Sequence, residues 1–323
     1  MTEIFGIPLQ AFAGQLLLGL VNGSFYAMLS LGLAVIFGLL GIVNFAHGAL
    51  YMIGAYVAWF SMEKWGLGYW GALVLAPVIV GALGVVIERT LLKHLYKLDP
   101  LYGLLLTFGL ALIGEGVFRD QFGVSGQQVS VPEALQGATN LGFMVLPNYR
   151  AWVVVASLTV CLGTWFLIEK TRLGATLRAG TENPALVQAF GINVPRMVML
   201  TYAGGAALAA LAGVLAAPVI QVTPLMGSNL IIVVFAVVVI GGMGSILGSI
   251  LTGLMLGIVE GLTRTGILGM LLSWPFTKVF GPENWLSEAL TRLFGPEGSS
   301  TIVFVIMAIV LVIRPAGLFG KEK

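Results

Sequence analysis

Long apolar runs separated by short polar breaks dominate this chain. The runs lie near residues 12–34, 36–60, 70–87, 101–118, 151–169, 197–218, 229–243, 246–263 and 301–314. A helix needs roughly 20 apolar residues to cross a hydrocarbon core of about 30 Å. The runs are continuous, whereas the strands of a membrane barrel alternate apolar and polar positions. The pattern predicts an all-α, polytopic bundle of about eight to nine spanning helices in a single domain over residues 1–323.

Two places interrupt the apolar pattern and predict broken or re-entrant helices. Inside the first long stretch, the interrupting residues are Gly38, Gly41, Asn44 and Gly48. The second place is the glycine-rich join at 241–248. Irregular backbone at membrane depth is tolerated where protein or a water-filled cavity surrounds it. We therefore expect both breaks to lie against other helices.

Glycines also recur every four residues near the end of the chain. Gly244 and Gly248 form one pair, and Gly253, Gly257 and Gly261 form a longer series. Small residues at this spacing let two helix backbones approach closely in a membrane. The series predicts a close helix contact, either within this chain or with a second subunit.

Composition agrees with a membrane protein and excludes a soluble domain. The chain is 58% hydrophobic and 9% charged, with mean hydropathy +1.00, whereas soluble domains carry about 25% charged residues. Cys161 is the only cysteine, which excludes a disulfide or a thiolate metal site within one chain. The net charge of +2 is small, and no nucleic-acid partner is expected.

The sequence contains no recognisable catalytic constellation. It lacks a phosphate-binding loop, a zinc-protease motif and a nucleophile elbow, and its two histidines, His47 and His94, are far apart. We therefore expect neither catalytic nor metal-binding residues, and no cofactor bound by this chain. The pattern favours a conduit over an enzyme.

Lysine and arginine positions predict the orientation, because short loops rich in these residues stay in the cytoplasm. With a cytoplasmic C-terminus, ten of the 16 basic residues fall on the inner side. This places the loop 170–196 in the cytoplasm and the segments 119–150 and 264–300 in the periplasm. The first outer segment is expected to contain strands around 127–131, and the second a surface helix near Trp285.

The cytoplasmic loop 170–196 contains start and stop signals for a short helix. Asparagine caps a helix and proline suits its first turn, while glycine ends it. The residues concerned are Glu182, Asn183, Pro184, Ala185, Ala189, Phe190 and Gly191. The alanines and the phenylalanine share a helical spacing. Such a helix is either a loop on the lipid surface or an element that contacts a cytoplasmic partner.

Five polar residues in the first two spans are candidates for a translocation path: Asn22, Ser24, Tyr26, Asn44 and His47. Polar groups in a membrane must find partners or line water. They therefore either line the path or form hydrogen bonds between helices and to backbone carbonyls.

Two acidic and basic pairs are spaced four residues apart near the predicted outer ends of spans. They are Glu115 with Arg119 and Glu260 with Arg264. This order suits an ion pair on a helix, and pairing lowers the cost of burying charge. The alternative is a charged outer rim that receives a binding protein or the ammonium and carboxylate of a substrate.

Several motifs, in order along nearly the whole chain, resemble the permeases of branched-chain amino acid importers of the ATP-binding-cassette class. In the cytoplasmic loop they are carried by Thr171, Arg172, Gly174, Arg178, Ala179, Asn183, Pro184, Gly191, Ile192, Asn193 and Val194. The others are GLAVIFGLLGIVNFAHGALYMIGAY at 32–56, GGMGSILGSILTG at 241–253 and RPAGLFG at 314–320. The NFAHG stretch resembles the shorter of the two related subunits.

The resemblance implies a multi-pass protein of the bacterial inner membrane. It further implies a second related permease, two cytoplasmic ATPases that bind the ATP and a periplasmic solute-binding protein. The short helix 183–191 then corresponds to the family's coupling helix. Two alternatives stay open: a permease for urea or a short-chain amide, and an ion-coupled secondary transporter, for which Glu115 and Glu260 are the only candidate relay residues.

Overall fold

The computed structural model describes residues 3–4, 7–96, 98–280, 284–299 and 301–320, most of which are helical. The helices are α1 (Leu9–Leu40), α2 (Ala46–Glu63), α3 (Gly68–Thr90), α4 (Pro100–Phe122), α5 (Asn148–Lys170), α6 (Arg172–Glu182), α7 (Pro184–Ala189), α8 (Val194–Ala216), α9 (Met226–Gly241), α10 (Ile246–Arg264), α11 (Ile267–Phe280), α12 (Trp285–Leu293) and α13 (Ile302–Ile313). Two antiparallel strand pairs complete the described part: β1 (Glu3–Ile4) with β2 (Ile7–Pro8), and β3 (Ala138–Asn140) with β4 (Val145–Pro147).

Eight of the nine predicted apolar runs each overlap one helix, which confirms the all-α membrane fold. The run 36–60 is divided instead, because α1 continues to Leu40 and α2 begins only at Ala46. Among the described residues, six helices are long and apolar enough to cross a membrane: α1, α3, α4, α5, α8 and α10. The apolar helices α9 and α13 are shorter, and α2 has 18 residues. The number of crossings stays a prediction.

The helix α1 forms the centre of the bundle and packs most closely on α10. A Cβ atom added at Gly257 would lie 2.2 Å from the Cα atom of Gly23, and one added at Gly19 would lie 2.6 Å from the Cα atom of Ile258. Real side chains do not approach backbone this closely, so only glycine fits. The predicted close glycine contact is confirmed, and its partner is α1 of the same chain.

The connecting segments gather at two ends of the bundle. At one end, Gln127 forms an isolated antiparallel bridge with Val222, between the segment 119–150 and the α8–α9 connection. At the other, the N–H of Leu318 donates to the carbonyl of Ile240 (2.8 Å), and Gly38 packs against Gly244. The segment 119–150 and the C-terminal segment thus lie at opposite ends, as the distribution of basic residues predicts. Which end faces the cytoplasm stays a prediction.

Three local features differ from the sequence-based expectation or add to it. The strand pair in 119–150 lies at β3 and β4, while Gln127 makes only the bridge to Val222. The segment 264–300 contains α11 as well as the expected helix α12. The helix α6 precedes α7 in the loop 170–196. The mixed polar and apolar composition of residues 172–182 does not predict this helix.

Candidate functional site

Residues 41–45, here called the broken segment, interrupt the helical structure between α1 and α2. Gly41 ends α1 in a left-handed conformation (φ 68°), which glycine adopts without strain. Thr107 on α4 contacts the irregular backbone: its hydroxyl accepts from the N–H of Phe45 (3.1 Å). The same hydroxyl can donate either to the carbonyl of Val43 (3.2 Å) or to that of Leu104 (3.1 Å). The predicted helix break is confirmed, and protein surrounds it as expected.

The broken segment returns toward the middle of the bundle. His47, in the first turn of α2, contacts Leu29 and Gly32 of α1. Leu29 precedes the end of α1 at Leu40 by about 16 Å at 1.5 Å per residue. The helix α2 therefore begins midway along α1, directly after the irregular residues 41–45. Broken helices of this kind frame binding sites in transport proteins.

Asn44 and His47 are fully buried. The Nε2 atom of His47 lies 3.0 Å from the carbonyl of Leu29; because a carbonyl only accepts, Nε2 carries the proton. Its Nδ1 atom and both amide atoms of Asn44 form no hydrogen bond within the described residues. The Asn44 amide lies near the hydroxyl of Tyr202 on α8. Neither residue lines an open cleft in this structure.

Glu88 is a buried carboxylate that the sequence pattern did not indicate, and it lies near Tyr202, the neighbour of Asn44. Glu88, near the end of α3, is buried and accepts a hydrogen bond from the Tyr96 hydroxyl (3.1 Å). Burial and the adjacent Glu88 carboxylate raise the pKa of Tyr96, so its hydroxyl stays protonated and can donate at neutral pH. Glu88 also interacts with Tyr202. Tyr202 thus links Asn44 to Glu88 and Tyr96 in one polar cluster.

The polar residues of the first span have separate surroundings. Ser24 is buried and donates to the carbonyl of Val21 in its own helix (2.7 Å). Asn22 is half-buried. The hydroxyl of Tyr26 donates to Glu260 on α10 (2.5 Å), and Arg264 lies 2.6 Å from the same carboxylate. Tyr26, one of the candidates for the translocation path, therefore contacts the charged pair of Glu260 and Arg264 where α1 packs on α10.

The other charged pair lies at a cleft of about 180 Å³ between α2, α4 and α9, here called the α4 cleft. Glu115 lines it and forms an ion pair with Arg119. Ser228 on α9 donates to the Glu115 carboxylate (2.8 Å). Most of the remaining lining is apolar, and its large members are Phe45, Met52, Phe108, Leu112, Ile231 and Ile232. The pair Glu115–Arg119 thus lies on α4, and the pair Glu260–Arg264 lies on α10. The two pairs do not share a site.

The predicted start and stop of the short helix in the loop 170–196 are confirmed at α7. The side chain of Asn183 accepts from the N–H of Leu186 (3.1 Å), and Pro184 occupies the first turn. Gly191 follows with φ 80°. Glu182 is exposed at the end of α6.

The exposed surface of α7 is mostly apolar. Phe190 is 78% exposed and Leu186 is 54% exposed, while Val187 is buried. The exposed apolar residues, here called the α7 patch, are Ala185, Leu186, Ala189 and Phe190. Leu186 belongs to this patch although the sequence analysis did not name it.

The segment that holds the α7 patch is attached firmly to the bundle. Arg178 on α6 donates to the carbonyl of Ile168 at the end of α5 (3.0 Å). Gly174 packs directly on Ile168, and Gly180 packs on Met197 of α8. A force on α7 would therefore reach the ends of two spanning helices.

The family of this chain is decided by a match over most of its length. The family described as "Branched-chain amino acid transport system / permease component" matches residues 15–311. The chain belongs to this permease family. It is therefore a permease subunit, a multi-pass protein of the inner membrane, and not an enzyme, because the family consists of membrane permease components.

Individual permeases of the family agree with this assignment. The chain is 29% identical to BraD, the high-affinity branched-chain amino acid transport system permease protein of Pseudomonas aeruginosa, over 96% of both chains. It is 28% identical to LivH of Escherichia coli K12, over 97% of this chain and 96% of LivH. With LivM of the same organism it shares 27% identity over 74% of this chain and 61% of LivM. The permease thus resembles LivH over its full length and LivM over a part.

Proposed function

We propose that this permease is one half of the transmembrane pore of an ATP-binding-cassette importer that moves branched-chain amino acids into the cytoplasm. Its partners are a second related permease subunit, two cytoplasmic ATPases that bind the ATP, and a periplasmic solute-binding protein. The observation that carries this proposal is the family match over 15–311. The parallel similarity to LivH and LivM supports a pore of two related chains.

The proposed orientation has 170–196 in the cytoplasm and both 119–150 and 264–300 in the periplasm. The excess of basic residues at the end with α6 and α7 supports it. So does the grouping of the connecting segments at two opposite ends of the bundle.

We propose α7 as the coupling helix that contacts an ATPase. Its exposed apolar patch supports this role, because an apolar helix face with little cover on its own chain suits a groove in a partner. The hydrogen bond from Arg178 to Ile168 supports the transfer of motion to α5.

For the translocation path, we propose that the broken segment moves with Asn44 and His47 near an inner gate. The buried amide of Asn44, which lacks a full set of hydrogen bonds, supports a second arrangement in which these groups reach water. Ser24 and Tyr26 already have partners. We therefore assign Ser24 and Tyr26 to helix packing, together with Glu260 and Arg264, and Asn22 remains a candidate.

Assembly tests the proposal. We expect the tagged chain, coexpressed with the second permease and the ATPases of its importer, to purify as a complex of two permeases with two ATPases. The chain purified alone should hydrolyse no ATP, because it has no phosphate-binding loop. The measurement is subunit stoichiometry by native mass spectrometry, with ATP turnover of the isolated chain. A chain that binds no ATPase under these conditions would contradict the proposal.

A further inference from the structure

We infer that the α4 cleft binds the zwitterion of an aliphatic α-amino acid, with Glu115 receiving the ammonium group and Arg119 the carboxylate. This inference rests on the proposed import of branched-chain amino acids and assigns the site in this chain that recognises them. The cleft opens between α2, α4 and α9 and combines one charged corner with an apolar body. Small-molecule sites have this composition: an apolar lining and a few polar groups that fix orientation.

The charged corner has unused hydrogen-bonding capacity. A carboxylate accepts about four hydrogen bonds, and Glu115 accepts only from Ser228 and Arg119 in the described contacts. The Glu115 side chain is 16% exposed, so it is open to the cleft without being fully solvated. An ammonium group with three donors fits its remaining acceptor positions.

Arg119, which pairs with the lining residue Glu115, provides the complementary charge. Its side chain is 48% exposed and lies one helical turn beyond Glu115 on α4. A guanidinium has five donors and binds carboxylates through two parallel hydrogen bonds. A zwitterion beside this pair places each of its charges next to the opposite one. No charge is left unpaired, which is the main requirement for binding ions away from water.

The apolar body has the size and shape for a branched aliphatic side chain. Its volume of about 180 Å³ exceeds the roughly 150 Å³ of an engineered protein cavity that binds benzene. Phe45 and Phe108 meet edge to face with ring centroids 6.2 Å apart, and Ile231 and Ile232 face them from α9. This lining favours leucine, isoleucine or valine. Urea would bury no apolar group there.

The cleft also connects to the broken segment. Phe45 is the last residue of that segment, and its ring stacks on Phe235 of α9 (6.0 Å between centroids). Gly48 and Gly227 form part of the lining where α2 and α9 touch; a Cβ atom at Gly48 would lie 2.7 Å from the Gly227 carbonyl oxygen. A ligand in the cleft therefore contacts the element that we propose moves during transport.

The test measures leucine binding to the complete transporter in nanodiscs without its solute-binding protein. We expect Glu115→Gln to weaken leucine binding by about ten- to a hundredfold, the usual effect of losing a charged hydrogen bond. The control Glu133→Gln removes an exposed carboxylate of the segment 119–150, and it should leave binding unchanged. Complex yield should equal wild type for both variants, and the control Glu133→Gln should also keep wild-type basal ATP hydrolysis.

Two leucine analogues assign the charges. Wild type should bind 4-methylpentanoate, which lacks the ammonium group, more weakly than leucine, and Glu115→Gln should remove most of this difference. Wild type should also bind 3-methylbutylamine, which lacks the carboxylate, more weakly than leucine. Arg119→Gln should remove most of this second difference. A structural role for these residues would weaken all three ligands equally, and that outcome would overturn the assignment.

A second pair of variants keeps the inference testable if Glu115→Gln does not assemble. Ile232→Trp narrows the cleft from an exposed position on α9, and Ile309→Trp makes the same change at an exposed position on α13 outside the cleft. Only Ile232→Trp should weaken leucine binding. Wild-type binding in both variants would overturn the site while the proposed function stands. A wild-type transporter that does not move leucine would overturn the proposed function itself.

Discussion

Replacing Phe190 with Asp is expected to reduce amino acid uptake to background while the two permease chains still assemble. Phe190 is exposed on α7 and has few contacts within its own chain, so the change should not unfold the permease. In the proposed contact with an ATPase, the aspartate would bury an unpaired charge, at a cost of several kcal/mol. The measurements are uptake, ATPase co-purification and expression level of the variant.

Two control variants separate this effect from general damage to α7. Gln188→Asp introduces the same charge at an exposed position of the same helix outside the α7 patch, and it should retain most uptake. Phe190→Leu keeps an apolar side chain and should also remain active. If Phe190→Asp transports normally and assembles normally, α7 is an ordinary surface loop and the coupling element lies elsewhere.

Replacing Gly257 with Leu is expected to abolish accumulation of the folded chain. The added side chain would have to occupy the space of the Gly23 backbone, because its Cβ atom would lie 2.2 Å from the Gly23 Cα atom. Forcing extra atoms into a well-packed contact costs about 1–3 kcal/mol when side chains can move, and the backbone of two long helices yields less. The measurement is the monodisperse fraction in detergent by size-exclusion chromatography.

The matched control for this prediction is Gly163→Leu on α5. No atom of the described residues lies within 4 Å of a Cβ built at Gly163, so the larger side chain has open space. We expect near wild-type yield and thermal stability for this variant. Equal losses for both glycines would show that the sensitivity is not specific to the contact between α1 and α10.

Local signals in the sequence predicted much of this fold. Apolar run length located the main helices, and the cap of Asn183 with the left-handed Gly191 gave the bounds of α7. The glycine at position 41 indicated where α1 ends. These features depend on residues close together in the chain, which is why the sequence alone is sufficient to predict them.

The contacts that build the candidate sites could not be predicted in the same way. Tyr26 and Glu260 are 234 positions apart, and the α4 cleft requires α2, α4 and α9 to be neighbours. Periodicity describes one helix at a time and does not give helix order. Glu88 was missed because a lone acid near a helix end usually lies in water, and only the packing of Tyr96 and Tyr202 shows that it is buried.

The central claim is that ATP hydrolysis by partner subunits drives branched-chain amino acids through this permease. The most direct measurement is uptake of radiolabelled leucine into proteoliposomes that contain the complete transporter, with the solute-binding protein on the outer side. We predict accumulation that requires ATP and the binding protein, that isoleucine and valine inhibit, and that ionophores and excess urea leave unchanged. Accumulation driven by an ion gradient without ATP, or inhibited by urea and not by isoleucine, would contradict the claim.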